Sequence, residues 1–340
     1  AITSLLSRWR SDVNIGGNIV AWETIPARQP QYEPFPSDLH SALGNALRAS
    51  GIRALYSHQM HAWELARSGA NLALATDTAS GKTLAYNLPI LDCLLREPQS
   101  RALYLFPTKA LAQDQIAGLR SLLAHIPHAE TPIAPAAYDG DTPQSARPAI
   151  RHNARLIISN PDMLHIGILP RHAAWADFFA NLRYVVIDEM HIYRGVFGSH
   201  VANVVRRLKR IAKFYDAQPQ FILTSATIGN PRQLAEKLIE APLTLIDSDG
   251  SGRGPKHFLI YNPPIVDEEL GLRASMLAES VRLAEDIYAY GIQTILFGRT
   301  RRSVEVMLRY LAAAIGERTP QSVRAYRSGY LPAHRREIEA

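Results

Sequence analysis

Between residues 51 and 246, short runs of apolar and β-branched residues alternate with longer segments whose apolar positions recur every three to four residues. The short runs are 71–75, 102–106, 156–159, 184–187 and 220–224. Runs that are apolar at nearly every position are strands covered on both faces, and the amphipathic segments between them are the helices that join parallel strands. The pattern predicts an α/β domain with a parallel sheet over 51–246. Ahead of it, 1–50 is punctuated by Pro26, Pro30, Pro34 and Pro36, with one helical stretch near 38–49. That segment is expected to be an extension packed on the core. Residues 247–255, rich in Asp, Ser and Gly, have the composition of a linker. Beyond them the pattern predicts a strand at 257–261, a helix at 274–290, a strand at 293–297 and a helix at 302–314. A second α/β domain is expected over 256–340, and it looks incomplete. The chain starts on Ala1 and ends inside a helical pattern at 333–340, so it is expected to be a piece of a longer protein.

Composition narrows the class. A chain of 340 residues with 47% hydrophobic and 20% charged positions is long enough for about two packed domains and is not a disordered chain. No apolar run approaches the ~18 residues needed to cross a bilayer, and the N-terminus lacks the apolar stretch of a secretory signal. The lone Cys93 excludes an internal disulfide and a cysteine-cluster metal site. A cytoplasmic protein without a membrane partner is expected. The net charge of +6 is uneven, since 299–336 hold nine arginines against two acids while 1–298 are almost neutral. Arg206, Arg207, Lys209, Arg210 and Lys213 form a second basic group. Each is either a solvated helix face or a contact to a polyanion.

Two segments carry chemistry. Thr76-Asp77-Thr78-Ala79-Ser80-Gly81-Lys82-Thr83 follows an apolar strand and opens a helix at 84–95. This is the setting of a phosphate-binding loop, in which unpaired backbone N–H groups at the positive end of a helix cradle phosphates. Thr78, Ala79, Ser80, Gly81, Lys82 and Thr83 are expected to bind ATP, with Lys82 on the β- and γ-phosphates and the Thr83 hydroxyl on Mg²⁺. The second is Asp188-Glu189 at the end of an apolar strand, 106 residues beyond Lys82. A carboxylate there can hold Mg²⁺ through water, and Glu189 can orient and deprotonate an attacking water. Together they predict a P-loop nucleoside triphosphatase.

Asp188-Glu189-Met190-His191 is a DExH box, and with it the chain resembles superfamily 2 helicases. Asn14-Ile15-Gly16-Gly17-Asn18-Ile19, Leu55-Tyr56-Ser57-His58-Gln59, the run Arg194-Gly195-Val196-Phe197-Gly198-Ser199-His200 and Tyr326-Arg327-Ser328-Gly329-Tyr330-Leu331 are similar to the mitomycin-repair branch of bacterial DNA helicases and its RecQ-like relatives. The resemblance implies a RecA-like domain followed by a truncated second one, and 3′→5′ translocation on DNA in repair. It implies that Gln59 reads adenine, a task its amide suits. It implies nucleic-acid backbone contacts by Pro107, Thr108 and Lys109, by Ser159 and Asn160, and by Arg299 and Thr300. Ser225, Ala226 and Thr227 are implied to couple the ATP site to strand movement through His191. Single-stranded DNA is the implied partner.

Two departures qualify this. Asp77 stands where the family has a small residue or proline, and an acid beside a triphosphate lowers the expected affinity. No Gln-x-x-Arg-x-Gly-Arg segment, which supplies the family's arginine finger, occurs in the 340 residues. The chain is therefore expected to bind ATP while hydrolysing it hardly at all. A non-catalytic ATP- and DNA-binding fragment, an RNA helicase, and a P-loop kinase remain the competing readings at this point.

Overall fold

The computed structural model describes residues 1–126, 132–316, 322–327, 329–331 and 338. Of the helical pattern at 333–340 only Ile338 is described. Arg318, Arg335, Arg336 and Ser328 lie outside the described residues. The chain divides into two compact units: Ala27–Gly254, and a discontinuous one made of Ala1–Pro26 and Pro255–Ala340.

Ala27–Gly254 is built on a seven-stranded, wholly parallel sheet. Across it run Thr244–Ile246, Leu72–Ala75, Gln220–Ser225, Leu182–Ile187, Arg101–Leu105, Leu156–Ser159 and Pro135–Ala137. The five inner strands are the five apolar runs. Alternate residues of each serve opposite faces, as strand geometry requires. Leu103, Ile157, Val185 and Leu223 enter one core with Trp175, Phe178, Phe179 and Leu208. Tyr104, Ile158, Val186 and Ile222 enter the other with Leu47, Tyr86 and Leu91. The two edge strands, Thr244–Ile246 and Pro135–Ala137, are three residues each, too short to show a period.

Strand order positions the site. Gln220–Ser225 lies between Leu72–Ala75 and Leu182–Ile187, so the chain segments that leave the C-terminal ends of all three meet at one edge of the sheet. Ligands of open parallel sheets bind at such an edge.

The segment 247–255 is docked rather than a free linker. The Arg28 N–H donates to the Arg253 carbonyl and the Arg253 N–H to the Arg28 carbonyl, both at 2.9 Å, and the Gln31 N–H donates to the Gly250 carbonyl at 2.8 Å. A Cβ on Gly250 would collide with the Ser57 hydroxyl, so only glycine lets the backbone lie this close.

In the other unit, residues 1–50 do not stay together as the proline punctuation implied. Helix Ile2–Ser11 buries Leu5, Leu6 and Trp9, with Ile15, against Leu259, Tyr261, Leu283 and Ile287. The Trp9 indole N–H donates to Asp286 at 3.0 Å. Strand Ile19–Ile25 pairs antiparallel with Lys256–Tyr261. The strand expected near 257–261 thus forms, but its partner is the N-terminal segment rather than a parallel neighbour. Helices Met276–Ala289 and Arg301–Ile315 are close to expectation. Residues 293–297 are not a strand: they have no pairing partner among the described residues, and Ile295 and Phe297 are exposed.

Candidate nucleotide and nucleic-acid site

The phosphate loop runs from the end of Leu72–Ala75 into helix Lys82–Arg96. Ala79 and Gly81 both take positive φ, and a Cβ on Gly81 would meet Gln59 Nε2 at 2.6 Å. Glycine is therefore needed there twice over, for its dihedral and for the contact. Inside the loop the Thr76 and Ser80 hydroxyls share a buried 2.7 Å hydrogen bond. Lys82 Nζ donates to the carbonyls of Thr76 at 3.0 Å and Asp77 at 2.7 Å. Burial lowers the Lys82 pKa, and Glu189 and Asp188 oppose that shift through their charge. The ammonium thus folds back onto its own loop.

Gln59 is buried and fully engaged. Its Oε1 accepts from the Tyr56 N–H and its Nε2 donates to the Gly81 carbonyl, both at 2.9 Å. The residue expected to read adenine here fastens the loop glycine to the start of helix Ser57–Arg67. Thr83 sits in the first turn of its helix, 3.4 Å from the Gln115 amide that donates to it.

Asp188 follows its strand buried, and burial raises its pKa from the ordinary carboxylate value, a shift that the Thr224 hydroxyl counteracts. Oδ1 accepts from that hydroxyl and from the Glu189 N–H. Glu189 follows at φ +51°, a left-handed dihedral that few side chains adopt without a local demand. Its Oε2 lies 3.1 Å from His191 Nδ1, and the same nitrogen is 3.4 Å from the Ala226 N–H. The Ser225 hydroxyl is buried and donates to the Ala226 carbonyl, and Thr227 donates to Asp77 at 3.3 Å. Ala226 and Thr227 therefore reach the acid pair on one side and the phosphate loop on the other.

Asp77 is not an isolated acid. Arg253 pairs with it at 2.9 Å and Arg28 stands 3.9 Å away. Nothing in the local pattern singled out either arginine, because each lies in an irregular segment far off in sequence. Thr224, by contrast, was within reach: it immediately precedes Ser225-Ala226-Thr227 and follows a strand's alternation toward the Asp188 side.

Pro107, Thr108 and Lys109 follow Arg101–Leu105, and Ser159 ends the adjacent strand with Asn160 directly after it, so the structure places the two segments side by side. Thr108 caps helix Lys109–Leu123 and Asn160 caps the turn at Pro161–Met163. Lys109 is paired with Asp141 at 2.8 Å on the surface. Ser159 is buried and its hydroxyl donates to the Tyr138 carbonyl at 2.6 Å, so its side chain serves the core. In the other unit Thr300 caps helix Arg301–Ile315, accepting from the Ser303 N–H at 3.0 Å, beside an exposed Arg299.

His58 lies under this site. Its ring is buried, and Nδ1 accepts from the Gly250 N–H at 3.2 Å, which leaves the proton on Nε2. Burial lowers its pKa, against the pull of Asp249. The folded chain therefore holds His58 neutral, while the unfolded chain takes a proton near pH of about 6.5. The stability it contributes is present above that pH and is lost as pH falls below it. The denaturant midpoint of the wild type is expected to drop more between pH 7.5 and 5.5 than that of His58→Asn, whose amide oxygen takes the place of Nδ1 and can still accept from Gly250. Parallel profiles would show that His58 does not hold this neutral, buried state.

Among the described residues no helix is long and apolar enough to cross a membrane, and no group of His, Cys, Asp and Glu is arranged as a metal cage. The model of the DEAD/DEAH box helicase family matches residues 56–234. The uncharacterized ATP-dependent helicase YprA of Bacillus subtilis is 47% identical over 330 residues, covering 97% of this chain and 44% of its own length. The ATP-dependent helicase HRQ1 of Saccharomyces cerevisiae is 37% identical, covering 99% of this chain and 32% of its own. Among solved structures, the DUF1998 helicase MrfA bound to DNA superposes with a TM-score of 0.94 at 45% identity, over 100% of this chain and 44% of that one. MrfA bound to DNA and AMPPNP gives 0.93 at 46% identity, over 99% and 46%. The chain spans less than half the length of these relatives. With the phosphate loop, the DExH box and Ser225-Ala226-Thr227 gathered at one sheet edge, it belongs to the DEAD/DEAH box helicases.

Proposed function

We propose that the chain is the ATP-binding motor portion of a DNA helicase, which couples ATP hydrolysis to 3′→5′ movement along one strand in DNA repair. The observation that carries this reading is where one segment lies: His191 Nδ1 stands 3.1 Å from Glu189 Oε2 and 3.4 Å from the Ala226 nitrogen, so it can bond only one of them at a time, and Thr227 donates to the phosphate loop at Asp77. A change at the γ-phosphate can pass from Glu189 to a segment that also bears on the loop. Lys82 exchanges its two carbonyl partners for phosphate oxygens, and Gln59 exchanges the Gly81 carbonyl for adenine. Glu189 takes the proton of the attacking water, and His191 fixes its carboxylate.

Thr83 and Asp188 suit Mg²⁺. Among the described residues the hydrogen bonds to the Asp188 carboxylate both fall on Oδ1, which leaves Oδ2 for a water of the ion. When bound, Mg²⁺ neutralises charge on the β- and γ-phosphate oxygens. Pro107, Thr108, Lys109 and Asn160 face the DNA backbone, with Lys109 trading Asp141 for a phosphate. Ser159 contributes through its backbone, and Arg299 and Thr300 contact the strand from the other unit. DNA is favoured over RNA because MrfA has been solved with DNA.

Hydrolysis also needs a cation at the γ-phosphate, and an arginine finger supplies about 10³–10⁵-fold in related phosphoryl transfers. The 340 residues hold no Gln-x-x-Arg-x-Gly-Arg segment, so this chain alone binds ATP with almost no turnover. The test is phosphate release with and without single-stranded DNA, comparing this chain, a longer chain that carries such a segment, and Glu189→Gln in the longer chain. DNA-stimulated release is expected only from the longer wild type. DNA binding is expected to ignore sequence and to weaken with salt, with a slope of about −0.7 per phosphate contacted. Equal turnover by the short and long chains, or an unaffected Glu189→Gln, would refute the mechanism.

A further inference from the structure

The chain enters the Ala27–Gly254 unit beside Arg28 and leaves it beside Arg253. Both points are fastened over the phosphate loop. The backbones of Arg28 and Arg253 exchange two hydrogen bonds, and the Arg28 guanidinium holds Asp249 and the Ser251 carbonyl. Gly250 is pinned to His58 and Gln31. From this strap Arg253 reaches Asp77, the second residue of the loop, and Arg28 stands behind it. Two arginines thus face Asp77 and Asp249, and the four charges cancel. Without Arg253, the loop that must accept a triphosphate would present a carboxylate whose remaining cation, Arg28, stands 3.9 Å away and is shared with Asp249.

We propose that Arg253, seconded by Arg28, is a positioning residue for nucleotide binding: docked on the loop, it cancels Asp77, and the strap that carries it makes the loop's affinity for polyphosphates depend on where the chain enters and leaves this unit. The proposal rests on the reading of the 76–83 segment as the ATP site. It also removes the difficulty that Asp77 raised in the sequence, since the acid is neutral to the loop as long as the strap is docked. Displacing the strap lowers affinity and favours nucleotide release. By linkage, bound ATP must hold the strap more firmly in place.

The experiment measures ATP, ADP and AMP binding to the 340-residue chain and to Arg253→Gln, Asp77→Asn, the double variant and Lys82→Ala. Arg253→Gln is expected to bind ATP about fivefold more weakly, the size of a half-exposed ion pair. The loss should shrink from ATP to ADP to AMP, and Asp77→Asn in the double variant should restore it. A misfolded strap would lower affinity for all three nucleotides alike and would not be rescued. Hydrogen exchange at the Arg28 and Arg253 amides should slow with ATP and not with AMP. Arg253→Gln binding like wild type while Lys82→Ala loses most of its affinity would overturn the proposal and leave the ATP site intact. Independent, additive losses in the double variant would overturn it as well. If Lys82→Ala binds like wild type, the ATP site is wrongly placed and the proposal falls with it.

Discussion

ATP binding by Lys82→Ala is expected to be about 30- to 150-fold weaker than by the wild type, a loss of about 2–3 kcal/mol for one charge-assisted partner. Lys82 Nζ already sits in the cradle on the carbonyls of Thr76 and Asp77, so a nucleotide needs only to replace those acceptors with better ones. The positive φ values of Ala79 and Gly81 and the Thr76–Ser80 hydrogen bond hold the remaining backbone without the lysine. Lys82 is the first residue of its helix, where alanine is the best helix former. The variant should therefore keep its fold and thermal midpoint while losing the ligand. Calorimetric titration of Mg-ATP into both proteins checks this, and equal affinities would end the assignment of residues 76–83.

Trp175→Ala is expected to destabilise the Ala27–Gly254 unit by about 3–5 kcal/mol. The indole is 1% exposed, meets Tyr138 edge-on at 4.8 Å and lies 5.6 Å from Phe178, within the core on one face of the sheet. Rigid rings on two sides cannot collapse into the space that the indole leaves, so the cavity persists. Phe214→Ala removes an aromatic of similar chemistry that is 72% exposed and is expected to cost about 0.5 kcal/mol or less. Urea unfolding of the two variants gives the comparison. A Trp175→Ala loss no larger than that of Phe214→Ala would show that this face repacks freely.

The inner sheet and its motifs could be read from the chain because both depend on local signals. A strand buried on two faces must be apolar throughout, and a phosphate loop must join such a strand to a helix. Arg28, Arg253, Asp249 and His58 gave no such signal. Their roles arise only when segments more than 170 residues apart are brought together, and each alone looks like an ordinary surface or turn residue. The strand expected at 293–297 fails for a related reason. Composition reports the tendency to be a strand, but pairing supplies the structure, and no described partner lies beside Ile295 and Phe297. Gln59 shows a third limit: the resemblance implied an adenine reader, and nothing in the sequence indicated that its amide would accept from Tyr56 and donate to Gly81.

The two hydrogen bonds between Arg28 and Arg253 also bear on the order of folding. Ile25 lies opposite Lys256 in the antiparallel pair of the discontinuous unit, so that pairing closes a loop of some 230 residues. For a flexible chain the length-dependent part of that closure costs about 5 kcal/mol. Once Ala27–Gly254 has folded, its entry and exit are already side by side, and only a few residues on each flank remain to be brought into register. The Ile2–Ser11 helix and the strand after it then meet their partners across a short gap. The middle of this chain is inserted in sequence between the two parts of the other unit, and folding it first is the order with the smaller closure cost.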